Sequence, residues 1–185
     1  MTKLTLTGRL VSNIFTAKEQ QTTGVHKFWA QVVLDDNQLQ KLKDAKQQAL
    51  KEIFGDKIPQ GSGLVDYVER IGDDPEYDLT FEKHFVRASS VKPIKTYLKV
   101  SGQLSLLEKS DAAIYFYPGA YVAISLDIYG KTKAEAQNMG GKAFITTGVR
   151  GLLFLRHGEP LSDGNVSENE FESYESQAET EDFSE

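Results

Sequence analysis

Residues 112–129 read AAIYFYPGAYVAISLDIY and contain the strongest β-sheet signal in the chain. Two runs rich in aromatic and aliphatic residues flank the pair Pro118-Gly119, which is common in turns. We therefore predict a β-hairpin with strands Ala112–Tyr117 and Ala120–Tyr129. Ile114 and Phe116 would face the core from the first strand. Strict alternation in the second strand adds four more core residues: Val122, Ile124, Leu126 and Ile128.

The other face of this hairpin is rich in tyrosine, because Tyr115, Tyr117, Tyr121 and Tyr129 alternate with the core positions. The same mixture of rings and cations recurs in three other strand-like segments. It places Trp29 beside Lys27, Tyr97 between Lys95 and Lys99, and Phe144 on a face shared with Arg150 and Arg156.

The remaining segments complete a mainly β protein. A single helix is predicted to start at an N-cap at Asp36 or Asn37 and to stop at Gly55, and an irregular loop is predicted over Asp56–Tyr77. Six or so strands with one inserted helix predict a small mixed β-barrel. Besides the hairpin, the predicted strands are Lys3–Val11, Val25–Leu34, Leu79–Ala88, Ile94–Ser101 and Ala143–Arg156.

The charge is unevenly distributed along the chain. The net charge is −6, yet residues 159–185 contain ten acidic residues and no lysine or arginine. The preceding residues therefore have a net charge of +4, in spite of an acidic loop at residues 66–82. From Ser162 onward the composition is too polar to offset the entropy cost of ordering. We expect a folded domain over residues 1–161 and a disordered acidic tail over 162–185.

Composition and motifs exclude several classes of protein. The chain has no cysteine, which excludes disulfides and thiolate metal sites. It lacks an apolar run of membrane-spanning length and an N-terminal secretion signal, so a cytoplasmic protein without membrane contact is expected. No histidine spacing, nucleophile elbow or phosphate-binding loop suggests catalysis, so no enzyme activity and no cofactor are predicted. The acidic cluster Asp73, Asp74, Glu76 and Asp78 lacks EF-hand spacing, and a solvated loop is preferred over a metal site.

Rings interleaved with cations on a β surface suit single-stranded nucleic acid, because bases stack on rings while phosphates meet lysine or arginine. The competing interpretation is that outward tyrosines fill cross-strand pairs or pack beneath the helix and the long loop. The predicted DNA-binding residues are Lys27, Trp29, Arg87, Lys95, Tyr97, Lys99, Tyr115, Tyr117, Tyr121, Lys142, Phe144, Arg150 and Arg156.

The sequence also resembles the OB-fold single-stranded DNA-binding proteins of tailed bacteriophages. The resemblance runs from the Lys/Ala/Gln-rich helix to Gly72–Tyr77, His84–Ser90 with Pro93, Tyr117–Val122 and Gly148–Leu161. It implies an OB-fold-like barrel that binds single strands in phage DNA replication, recombination or repair. It also implies that the acidic tail contacts replication or recombination proteins. Related tails often end in an aromatic residue, whereas here Phe183 is followed by Ser184 and Glu185.

Two other functions remain open at this point. The aromatic face would also fit a protein-interaction or virion-associated β module that does not bind nucleic acid. A metal-dependent nuclease would use the acidic loop. The sequence leaves the oligomeric state as monomer or dimer.

Overall fold

The computed structural model of the protein describes residues 1–20, 23–76, 79–137 and 141–161. In these ranges the chain forms ten β-strands and two α-helices. Their bounds in chain order are β1 (Thr2–Leu10), β2 (Lys18–Glu19), β3 (His26–Val33), α1 (Asp36–Phe54), β4 (Leu64–Asp66), β5 (Arg70–Ile71), β6 (His84–Ser90), β7 (Thr96–Val100), β8 (Gln103–Leu106), α2 (Lys109–Tyr115), β9 (Tyr121–Lys131) and β10 (Ala143–Arg156).

Five of the strands close into a barrel. β1 pairs with β3 and β9, β3 pairs with β6, and β9 pairs with β10, all in antiparallel fashion. A short parallel pairing of β10 with β6, where Gly148 faces Ser89, completes the ring. At the same junction the Thr147 hydroxyl donates a hydrogen bond to the Arg87 carbonyl at 2.8 Å. The ring β1-β3-β6-β10-β9 is a five-stranded Greek-key barrel, the OB-fold arrangement, which confirms the predicted fold class.

The barrel encloses the core that alternation predicts. Val122, Ile124, Leu126 and Ile128 of β9 are all fully buried. They pack with apolar residues of the other barrel strands and of both helices in one hydrophobic cluster. The pattern could be predicted because each of these strands buries one face, so the period of two is preserved.

Helix α1 packs against β1 and β9. Its N-cap is Asp35, whose carboxylate accepts a hydrogen bond from the Gln38 backbone N–H at 2.8 Å, so the predicted cap at Asp36 or Asn37 was wrong. Gln38 in turn accepts from the Thr7 backbone N–H at 3.0 Å and ties the helix to β1. The helix ends as predicted at Gly55, where φ is +60°.

The predicted strand Ala112–Tyr117 is wrong, because this segment forms α2 over Lys109–Tyr115. Ala112 and Phe116 are 0% and 2% exposed, whereas Ile114 between them is 65% exposed. Burial four residues apart is helical spacing, and a strand would have buried all three side chains. The fold therefore has two helices instead of one, and the predicted hairpin does not form.

Two further segments differ from the sequence-based prediction. The predicted loop Asp56–Tyr77 contains β4, which runs parallel to β10, and β5, which pairs with β6. The strand predicted over Leu79–Ala88 begins only at His84. Strand β8, which pairs with β7 through a two-residue turn, was not predicted from the sequence.

No helix in the described ranges is long and apolar enough to cross a membrane. The predicted acidic tail, residues 162–185, lies outside the described residues.

Candidate nucleic-acid interface

The outer faces of β3 and β6 bring Trp29 and Arg87 into contact. Ala30 and Ala88 are fully buried, so alternation turns Trp29 and Arg87 outward. The Arg87 guanidinium carbon lies 4.2 Å from the centroid of the Trp29 ring, within cation–π distance. The two predicted site residues therefore form one stacked pair, and Lys27 lies on the same face of β3, opposite Lys18 of β2.

Arg87 is a half-buried cation that is incompletely paired. Its Nε is buried and has no hydrogen-bond partner in the described part of the chain. Burial, and secondly the charge of Arg70, lower the pKa of Arg87 from its usual value. A cation held without full compensation favours an incoming anion or hydrogen-bond acceptor.

Arg70 belongs to the same surface, although it was not among the DNA-binding residues predicted from the sequence. It lies on β5 opposite Phe85 of β6, two residues from Arg87 along β6. Its guanidinium lies 5.5 Å from the Tyr67 ring centroid, and its Nε donates to the Tyr67 carbonyl at 3.3 Å. The acidic composition of residues 66–82 gave no reason to predict a DNA-binding residue there. The position of Arg70 beside Arg87 follows only from the pairing of β5 with β6.

Tyr129 forms a second ring position on the barrel surface. It is 38% exposed, and burial of the remainder raises the pKa of its hydroxyl. A Cβ built on Gly148 of β10 would lie 3.3 Å from the Tyr129 ring, so the ring lies over this glycine. The sequence pattern pointed Tyr129 outward, but it was not among the predicted DNA-binding residues.

Tyr97 occupies a third ring position further along β10. It pairs with Leu153, and its ring would lie 3.1 Å from a Cβ on Gly151. Lys95 and Lys99 are exposed and alternate with Tyr97, as predicted. Glycines at two outward positions of β10 therefore leave space that the rings of Tyr129 and Tyr97 occupy.

The three rings lie on one continuous outer surface. Strand pairing aligns Asp127 of β9, Gly148 of β10, Ser89 of β6 and Trp29 of β3 in a single row across the sheet. Gly148 and Trp29 are two strand spacings apart, which is about 10 Å. Gly148 and Gly151 are three residues apart along β10, again about 10 Å. We call this surface, comprising Trp29, Arg70, Arg87, Lys95, Tyr97, Lys99, Tyr129 and Arg150, the ring-and-cation face.

Arg150 reaches this face through an irregularity of β10. The register with β9 shifts between Val149 and Gly151 and again between Phe154 and Arg156. The predicted face shared by Phe144, Arg150 and Arg156 assumed regular alternation, which both shifts break. The Arg150 Nε lies 3.8 Å from the Asp127 carboxylate, whose other oxygen is buried without a hydrogen-bond partner in the described residues.

Tyr121 and Arg156 form a separate cluster near the other end of β9. The Arg156 guanidinium lies 3.5 Å from the Tyr121 ring centroid, and that of Arg9 lies at 5.8 Å. Arg9 also donates to the Glu159 carbonyl at 2.8 Å. Tyr121 is eight residues, about 26 Å, from Tyr129 along β9. It is only two residues from Ala123, which lies in one row with Leu153 and Tyr97, so this cluster lies beyond the Tyr97 end of the ring-and-cation face.

Tyr115 and Tyr117 were predicted to share a hairpin face with Tyr121, and this placement was wrong because the hairpin is absent. The Tyr115 ring packs against Phe154 at 5.1 Å between centroids, partly buried against the core. The Tyr117 hydroxyl donates to the Gly158 carbonyl at 2.9 Å and lies 3.0 Å from the His157 Nδ1. Both rings fix the segment after β10.

Lys142 and Phe144 lie at the start of β10, where Phe144 is two residues from Thr146, the cross-strand partner of Tyr129. Phe144 pairs with Lys131 on one side and Val65 on the other. Lys142 is exposed beside Gly141, whose φ is +70°.

The acidic segment has a structural role in its first part. Lys46 of α1 contacts the carboxylates of Asp66 at 2.9 Å and Glu69 at 2.7 Å. Within the described ranges, which omit Asp78, no group of three His, Cys, Asp or Glu side chains is placed to hold a metal ion.

Comparison with known proteins identifies the family. The model of the family described as "Enterobacter phage Enc34, ssDNA-binding protein" matches residues 8–184. A comparison with curated proteins found no match.

Solved structures of phage proteins share the fold. The single-stranded DNA-binding protein from bacteriophage Enc34 in complex with ssDNA superposes with a TM-score of 0.66 at 12% identity, covering 87% of this chain and 90% of that one. A second structure of the Enc34 protein gives a TM-score of 0.63 at 14% identity, covering 94% of this chain and 90% of that one. The gp2.5 single-stranded DNA-binding protein of bacteriophage T7 gives a TM-score of 0.52 at 10% identity, covering 95% of this chain and 96% of that one. Since the family model spans nearly the whole chain, the protein belongs to the Enc34 family of phage single-stranded DNA-binding proteins.

Proposed function

We propose that this protein binds single-stranded DNA with little dependence on base sequence, in phage DNA replication, recombination or repair, and performs no chemistry on it. Family membership supports the ligand, as does the relative from phage Enc34 whose structure contains ssDNA. The observation that carries the proposal is the ring-and-cation face itself.

The rings supply binding that tolerates any sequence. Trp29 and the two glycines beside the rings of Tyr129 and Tyr97 follow one another at intervals of about 10 Å on one surface. Every base has a π-face, and stacking on an aromatic side chain contributes about 1–3 kcal/mol per base. Three such positions favour a flexible single strand, since the bases of a duplex are already stacked on each other.

The cations supply contacts to the phosphates. Arg87 stacks on Trp29, and Arg70 lies close enough to Arg87 for its charge to lower the pKa of Arg87. Lys95 and Lys99 lie on either side of Tyr97 in the sequence. OB-folds bind oligonucleotides on the face of the second and third barrel strands, here β3 and β6, and this fold-level analogy agrees with the position of Trp29 and Arg87.

The predicted contacts divide into three groups under this proposal. Lys27, Trp29, Arg87, Lys95, Tyr97, Lys99 and Arg150 are assigned to the main interface, to which Arg70 and Tyr129 are added. Tyr121, Arg156, Lys142 and Phe144 are assigned to a longer path of the strand. Tyr115 and Tyr117 are assigned to holding the segment after β10.

Residues 162–185 complete the proposal as an acidic tail attached to a DNA-binding domain of residues 1–161. The last described residues are fixed to the barrel, with the Leu161 N–H donating to the Pro118 carbonyl at 2.8 Å. From that point nine acidic residues follow. We propose that they compete with DNA for the cations and offer a contact to replication or recombination proteins.

The experiment uses Trp29, the single tryptophan of the chain. Its fluorescence emission is followed while oligo-dT is added, and we expect quenching that saturates. Affinity should fall as salt rises, because phosphate contacts release counterions, and duplex DNA should bind more weakly. Emission that does not respond at low salt, even after residues 162–185 are removed, would refute the proposal. Such an outcome would favour a protein-interaction module.

A further inference from the structure

Strand β8 is the last strand of the sheet, with β7 on one side. In the described residues nothing pairs with its other side. Edge strands that avoid association usually present a lysine or another charged residue, or a proline. Residues 100–107 contain none of these, so the edge of β8 (Gln103–Leu106) is unprotected.

The hairpin geometry identifies which backbone groups are free. The two-residue turn at Ser101 and Gly102, with φ of +51° and +82°, makes Val100 and Gln103 a hydrogen-bonded pair. Hydrogen-bonded pairs then recur at every second position. The Leu107 N–H indeed donates to the Thr96 carbonyl at 2.8 Å. Leu104 and Leu106 lie at the intervening positions, so their N–H and C=O groups point away from β7.

The side chains of the same two residues are uncovered. Leu104 and Leu106 are each 59% exposed. They lie opposite Lys99 and Tyr97 in β7 and therefore on the same face of the sheet. The edge thus offers two backbone donors, two acceptors and a small apolar patch within three residues.

We propose that β8 pairs with β8 of a second copy of this chain, antiparallel and about a two-fold axis that passes through Ser105. Leu104 of each copy then faces Leu106 of the other, and four backbone hydrogen bonds form. The leucines of the two copies cover each other. A two-fold axis requires such a self-complementary surface, and an uncharged edge adds no repulsion between identical copies.

The pairing is weak and exchanges rapidly. Its area is small beside the roughly 1,200 Å² of stable interfaces, so we expect association in the micromolar range. The axis is perpendicular to the sheet, so both copies turn Tyr97 and Lys99 to the same side. The consequence that a long single strand can contact both copies rests on the proposed function, whereas the pairing itself does not.

Disulfide trapping tests the register, because the chain has no cysteine of its own. In the proposed pair, Ser105 faces Ser105 of the other copy at a non-hydrogen-bonded position. The Cα atoms there lie about 4.5 Å apart, within disulfide range. Ser105→Cys should give a covalent dimer under mild oxidation. The control is Gln103→Cys, which lies two residues away and opposite Leu107 of the other copy. It should give at least about fivefold less covalent dimer under the same oxidation. Equal yields, or no dimer from Ser105→Cys, would overturn the register.

Sedimentation of the full chain without DNA tests the edge itself, independently of the proposed function. The weight-average mass of the native chain should rise with concentration. Leu104→Pro with Leu106→Pro removes only N–H groups that point away from β7 and should leave a monomer. If circular dichroism shows that this variant is unfolded, Leu104→Lys with Leu106→Lys replaces it. The control Val100→Lys changes an equally exposed residue of β7 and should associate normally.

Three results would contradict the proposal. The first is a native chain that remains monomeric at all concentrations. The second is an edge variant that associates as strongly as the native chain. In the third, association would be lost when residues 162–185 are deleted, which would assign it to the tail.

Discussion

Two glycines of β10 determine which aromatic rings can lie on the barrel surface. A side chain at Gly148 or Gly151 would press against the ring of Tyr129 or Tyr97. Both rings thereby lie close to the sheet, while part of each ring remains exposed. Tyr115, in contrast, packs against Phe154 and the core. The chemical identity of a tyrosine therefore says little about its role until its neighbours are known.

This contrast gives a prediction for a matched pair of variants. Tyr129→Leu removes a surface ring and should weaken binding of oligo-dT by roughly 5- to 100-fold, the equivalent of one stacked base. Tyr115→Leu should leave this affinity unchanged and lower the free energy of unfolding by about 1–2 kcal/mol, because aromatic contacts are lost. Fluorescence titration and urea denaturation measure the two quantities. The reverse pattern would return Tyr115 to the interface and remove Tyr129 from it.

Arg70 and Arg87 show why only part of the site could be predicted from the sequence. Arg87 lies in a regular strand, where alternation alone turns it outward beside Trp29. Arg70 lies in a segment with seven acidic residues and reaches the site through pairing with Phe85, fifteen positions away. Local patterns predict the direction of a side chain within one element, but they do not predict which elements lie next to each other.

At the scale of elements, α1 fixes the segment that supplies Arg70. Lys46 is 13% exposed and binds both Asp66 and Glu69. Burial alone would raise the pKa of Glu69, but the hydrogen bonds and charges of Lys46 and Lys43 outweigh it and lower that pKa. Burial would likewise lower the pKa of Lys46, and its two carboxylate partners raise it instead. Ion pairs between side chains therefore connect α1 to the segment that contains β4 and β5.

Removing this lysine should destabilise the protein in a pH-dependent way. Lys46→Met should lower the free energy of unfolding by about 1–2 kcal/mol at neutral pH, a moderate value for a partly screened network. Since the pKa of Glu69 is lowered in the folded state, its contribution is present above the ordinary value of 4.5 and disappears as the pH falls through the folded value. Urea denaturation at pH 7 and pH 3 measures the difference. The control Lys41→Met, at an exposed position of the same helix, should change little at either pH.

Helix α2 shows where element prediction from sequence fails. Tyr115, Phe116 and Tyr117 favour a strand by propensity, and the turn pair that follows strengthens the impression. Tertiary packing overrides propensity, because only a helix buries Ala112 and Phe116 while leaving Ile114 in solvent. The strand β9 was predictable because every second residue is fully buried. The same local reasoning succeeded for β9 and failed for α2, since only the former has one consistently buried face.

At the scale of the whole molecule, charge is separated along the chain. Residues 162–185 contain nine acidic residues and no basic ones, so their removal changes the net charge from −6 to +3. A tethered segment has an effective concentration in the millimolar range near its own domain. Such a segment competes with DNA phosphates for the same arginines and lysines, and salt weakens this competition along with the binding.

Deletion of residues 162–185 should therefore tighten binding of oligo-dT by about tenfold at low salt, and the gain should shrink as ionic strength rises. A second variant separates charge from length: all nine carboxylates are changed to their amides in a chain of the original length. It should bind as tightly as the truncated protein, because repulsion and competition depend on charge. Fluorescence titration of Trp29 at two salt concentrations measures all three proteins. If the amide variant binds like the native chain while the truncated one binds more tightly, the tail acts by obstructing the face sterically, and electrostatic competition is excluded.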